Sequence, residues 1–75
     1  MRGRQLIKLI PGERGNVTCF SGLEEQHARK LLALGVFPGM VVEVLQVSPT
    51  LVIRFEHTQL ALDREIASHI YVTSR

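Results

Sequence analysis

Between Ala28 and Val44 the hydrophobic period of the chain changes once. Ala28, Leu31, Leu32 and Gly35 recur at the i, i+3, i+4, i+7 spacing of a buried helix face. Gln26, Arg29, Lys30 and Ala33 fall on the solvated side. From Val42 the period becomes two: Val42 and Val44 flank Glu43, as in a strand with one buried face. Between the two patterns stands Gly35-Val36-Phe37-Pro38-Gly39-Met40. Gly35 occupies the place of a helix C′ residue, whose positive φ only glycine takes without steric cost. Val36 then folds back on Leu31, as in a Schellman stop. Phe37-Pro38-Gly39-Met40 fits a type II turn, with proline presetting φ at the first central position and glycine supplying φ > 0 at the second. A helix is thereby tied closely to a strand.

The remaining segments extend this pattern. Gln5 to Ile10 reads as a short strand or extended segment, ended by Pro11-Gly12, and Glu13-Arg14-Gly15 as a turn. Asn16 to Phe20 alternates as a strand, with Val17 and Cys19 on one face and Thr18 and Phe20 on the other. Ser21-Gly22-Leu23-Glu24 fits a capping box, Ser21 bonding the backbone of Glu24 and Glu24 reaching back. The predicted helix covers about residues 22–34. A strand from about Val41 to Val47 is broken by Ser48-Pro49-Thr50. Another runs from Leu51 to His57, with Leu51, Ile53 and Phe55 inward. Leu60 and Leu62 face in from a short strand, and Asp63 caps a helical turn over about residues 63–67. Ile70-Tyr71-Val72 closes the chain as a last strand. Short strands at near-regular spacing with one helix predict a mainly β fold, a small closed barrel that leaves no sheet edge open.

Length and composition narrow the function. Seventy-five residues make a single domain over 1–75, and a 45% apolar fraction is that of a globular protein. One cysteine, Cys19, forbids an internal disulfide and suits a reducing cytosol. The apolar run after Arg2-Gly3-Arg4 is interrupted by Lys8 and is too short for a signal peptide or a spanning helix. Any membrane connection is expected to run through a partner. Four basic residues, Arg2, Arg4, Lys8 and Arg14, stand against Glu13 near the N-terminus, whereas the rest of the chain holds five basic and six acidic residues. This is a local basic feature without stacking aromatics along a face, so no nucleic-acid partner is expected.

Leu31…Leu34-Gly35-Val36-x-Pro38-Gly39-x-x-Val42-x-Val44, followed by Ala61-Leu62 and Ala67-x-x-Ile70-x-Val72, resembles the ferrous iron transport protein A (FeoA) domain. Gly12-x-x-Gly15-x-Val17 matches as well, so the resemblance runs from Leu6 to Val72. It implies an SH3-like β-barrel and a small cytoplasmic accessory of FeoB, the membrane-embedded ferrous iron transporter with a cytosolic GTP-binding domain. The alternative it implies is a transition-metal-binding or metal-sensing domain, like that appended to iron-dependent repressors of the diphtheria-toxin-repressor type. No DNA-binding helices precede it in these 75 residues, so the transporter accessory is the expectation taken forward. Oligomeric state is left open.

Candidate chemistry is sparse. Glu24-x-x-His27 has the i, i+3 spacing of helix-bundle di-iron ligands, but one helix supplies no facing set. His57 and His69 lack ligand spacing. Cys19 alternates with Val17 and reads as a core thiol. No cofactor is expected; a metal site for Fe²⁺ or Zn²⁺ would draw on Cys19, Glu24 and His27. Pro11-Gly12-Glu13-Arg14-Gly15 lacks the Gly-Lys-Ser/Thr ending of a phosphate loop, and no nucleophile stands beside a base, so the chain is read as non-enzymatic. With Phe20, Phe37, Phe55 and Tyr71 as its aromatics it lacks the ring-lined groove of a proline-peptide binder. Val36, Phe37 and Met40 around the turn are the expected partner contacts. The competing arrangement has Val36 and Met40 plugging the barrel end, with Phe37 alone outside. Arg2, Arg4 and Lys8 either meet acidic surface on a partner or lipid headgroups, or form a solvated terminus.

Overall fold

Six antiparallel strands and two helices are distributed over residues 3–74, the part of the chain described by the computed structural model. In chain order they are β1 (Arg4–Gln5), a 3₁₀ turn (Leu6–Lys8), β2 (Arg14–Phe20), α1 (Glu25–Ala33), β3 (Val41–Gln46), β4 (Leu51–Phe55), β5 (Thr58–Leu62), α2 (Arg64–Ala67) and β6 (Ile70–Ser74). The strands form one sheet in the order β1-β6-β2-β3-β4-β5. It curls as a small SH3-like β fold around Leu6, Val17, Leu31, Val36, Val42, Val44, Leu51, Ile53, Ile70 and Val72, all fully buried. β1 and β5 are the end strands, so the expected closed ladder is not completed between them among the described residues.

The short strand or extended segment expected over 5–10 is corrected. After two residues the chain coils into the 3₁₀ turn. With three residues per turn, Leu6 and Leu9 share a side and both enter the core, whereas a strand would send them to opposite faces. Of the turn expected at 13–15, Glu13 closes a bond to Ile10 O at 3.0 Å, but Arg14 and Gly15 are already strand. Gly15 lies buried between Val42 and Ser74, and a Cβ there would stand 2.9 Å from Val72 Cβ. Glycine is present because the Val72 side chain packs directly onto its backbone, not because the chain reverses.

β2 contains a bulge that overturns the alternation read for 16–20. Val17 pairs with Val72, but the next pair is Cys19 with Tyr71, leaving Thr18 extra. One inserted residue exchanges the faces beyond it. Phe20 therefore pairs with the buried Ile70 and packs on the core, while Cys19 is half-buried beside Tyr71 rather than a core thiol. The Thr18 hydroxyl donates to Tyr71 O at 3.0 Å, which holds the bulge.

The capping box does not form. α1 starts after Glu24, whose side chain makes no capping bond. The Ser21 backbone is committed elsewhere: its N–H donates to His69 O and its carbonyl accepts from His69 Nδ1, both at 2.8 Å. The shorter cap at α2 is as expected, with Asp63 Oδ1 accepting from Glu65 N–H at 2.7 Å.

Candidate functional site

The end of α1 and the turn after it are held by several backbone hydrogen bonds. Gly35 has φ +96°, its N–H donates to Leu32 O at 3.0 Å, and Val36 N–H donates to Leu31 O at 2.9 Å. These are the two bonds of a Schellman stop, and Val36 and Leu31 both lie in the core. Gly39, with φ +100°, completes the turn from Phe37 to Met40. The turn is also stitched to β2: Gly39 N–H donates to Val17 O at 2.7 Å, and Val17 N–H to Met40 O at 2.8 Å.

This geometry divides the three expected contact residues. Val36 is fully buried and so is removed from any surface. Met40 is half-buried against the core, and its sulfur accepts from Phe37 N–H at 3.1 Å. Phe37 alone projects, with 49% of its surface exposed. Two further apolar side chains flank the stop: Leu32 is 50% and Leu34 42% exposed. Leu32 was expected on the buried stripe. At 100° per residue it lies well round the helix from Leu31, and the stripe is narrower than the spacing implied. That offset was available in the sequence, as was the position of Leu34 beside the stop.

Between the start of α1 and α2 lies a hollow of about 360 Å³ lined by Glu24, His27, Asp63, Glu65 and His69. Their groups are mostly engaged with neighbours. His27 Nδ1 is 3.6 Å from Glu24 Oε1, Asp63 caps α2, and His69 Nδ1 donates to Ser21 O. Among the described residues no three His, Cys, Asp or Glu side chains are placed to share a cation. Cys19 does not line this hollow.

On the outer face of the sheet, Arg14, Glu43, Arg54 and Gln59 stand in register across β2, β3, β4 and β5. Arg54 Nη2 donates to Glu43 Oε1 at 2.8 Å. That hydrogen bond, helped by the charges of Arg54 and Arg14, holds the Glu43 carboxyl below the usual glutamate range against the opposing effect of desolvation. The basic N-terminal group is partly neutralised. Arg4 donates to Lys8 O at 2.8 Å and lies 3.5 Å from Glu13; Arg2 is outside the described residues. No helix among the described residues is long and apolar enough to cross a membrane.

The sequence model of the FeoA domain matches residues 4–74. No curated protein sequence matches significantly. Among solved structures, an iron uptake regulatory protein (FeoA) shares 25% identity at a TM-score of 0.84, over 95% of this chain and 96% of that one. The FeoA protein of Chlorobium tepidum shares 27% at 0.83, over 93% of this chain and 69% of that one. A manganese-dependent transcriptional repressor in complex with manganese superposes at 0.91 with 22% identity; all of this chain corresponds to 38% of the repressor, a likeness of fold.

Proposed function

Because the chain belongs to the FeoA-domain family, we propose that it is a small cytoplasmic, non-enzymatic accessory of ferrous iron uptake that docks on the cytosolic part of a FeoB-type transporter and modulates it. The observation that carries this reading is the exposed apolar group Leu32, Leu34 and Phe37 at a backbone fixed by the Schellman stop and by β2. Exposed apolar side chains on a rigid support lose little conformational freedom on association, which favours their use in a contact. The hydrolysis of GTP belongs to the transporter in this scheme.

Replacing Phe37 with aspartate places a charge in the proposed contact without touching the core. The expected result is at least a tenfold loss of binding to the transporter's isolated cytosolic domain in a pull-down or titration, with an unchanged far-UV spectrum. Undiminished binding by the folded variant removes Phe37 from the interface.

A further inference from the structure

We propose that the outer edge of β5 is a self-association site, through which two copies of this chain pair as antiparallel strands. β4 and β5 are joined by the two-residue loop Glu56-His57, with Phe55 opposite Thr58. In such a hairpin the closing residues bond to each other, so the backbone groups of Thr58, Leu60 and Leu62 face β4. Those of Gln59 and Ala61 face away. β5 is an end strand, both residues are exposed, and among the described residues no hydrogen bond to their backbone from outside the sheet is observed.

Edge strands in soluble proteins are ordinarily blunted by charge, proline, a bulge or shortness. β1, at the other end, is two residues long and carries Arg4. β5 has none of these devices: Thr58-Gln59-Leu60-Ala61-Leu62 is uncharged, lacks proline and runs against β4 without a register shift.

The same strand specifies its occupant. A twofold axis through Leu60 sets Gln59 of one copy opposite Ala61 of the other, and the reverse. That register satisfies all four outward N–H groups with all four outward carbonyls, two of each per copy. Leu60, half-buried at the margin of the core, gains its counterpart as a neighbour on the same face. No like charges meet across the pair, and the whole chain carries a net charge of only +2. A five-residue edge buries far less than the roughly 1,000 Å² of a stable interface, so the association is weak.

Sedimentation of the intact chain from about 0.02 to 2 mM tests this. The expected result is an apparent mass rising toward twice the 8.4 kDa of the chain. Ala61→Pro deletes an outward donor while leaving the bonds to β4, and is expected to stay monomeric. Amide exchange of the unsubstituted chain gives a second reading: protection of Gln59 and Ala61 rises with concentration, whereas that of Leu60 is unchanged. A monomer throughout the range overturns the proposal. So does association accompanied by no concentration-dependent protection at Gln59 and Ala61.

Discussion

At Gly35 one missing methyl group sets the direction of the chain. Its φ of +96° is costly for an L side chain, yet a Cβ there would meet Phe55 only at ordinary contact distance, 3.5 Å. The cost of substitution is therefore conformational rather than steric. Gly35→Ala is expected to destabilise the protein by about 1–2 kcal/mol, and to lower Tm by roughly 4–16 °C for a domain of this size, as read by thermal unfolding. Unaltered Tm would mean that the stop does not depend on this backbone. Gly35 and Gly39 were legible in the sequence because their partners are local. Gly15 was not, because Val72, which crowds it, arrives from the far end of the chain. Cys19 was misplaced for a related reason: the bulge at Thr18 is set by pairing with β6, which periodicity within 16–20 does not contain.

Among the elements, α1 and the strands from β2 onward lie where the pattern puts them, with ends that shifted. α1 runs Glu25–Ala33 within the expected 22–34, with Glu24 rather than Ser21 at its N-cap. The short apolar run Leu6-Ile7-Lys8-Leu9-Ile10 reads as extended, but the three-residue recurrence of Leu6 and Leu9 fits the 3₁₀ turn that contacts β6 and α2. The outer row across β2, β3, β4 and β5 supplies an electrostatic test. Glu43 titrates below its ordinary range in the folded chain, so its ionised form favours folding. That contribution is present above the unfolded glutamate pKa and is lost as pH falls through the lowered folded value. Glu43→Gln is expected to reduce Tm at pH 7, with the difference from the unsubstituted chain shrinking as pH drops below about 4. A difference constant from pH 7 to pH 2.5 would contradict the assignment.

For the whole molecule, the resemblance carried more than the individual residues did. Fold and family followed from an ordered set of glycines and apolar positions that the core now explains: Leu31, Val36, Val42, Val44, Ile70 and Val72 are motif residues and all are buried. The same fact explains why the docking surface was only partly legible. Most apolar motif positions hold the fold, so Val36 lies inside, while Leu32 and Phe37, which are outside the motif, are exposed together with the motif residue Leu34. The barrel thus presents two unlike surfaces, an apolar group at a braced turn and an open strand edge. The first is proposed to meet the transporter and the second a copy of the chain. Isotope-labelled protein titrated with the transporter's cytosolic domain, followed residue by residue by NMR, separates them most directly. The largest shift changes and line broadening are expected at Leu32, Leu34 and Phe37, with β5 unaffected at dilute concentration. Perturbation confined to β5 or to the outer row of Arg14, Glu43 and Arg54, or none at saturating partner, would contradict that expectation.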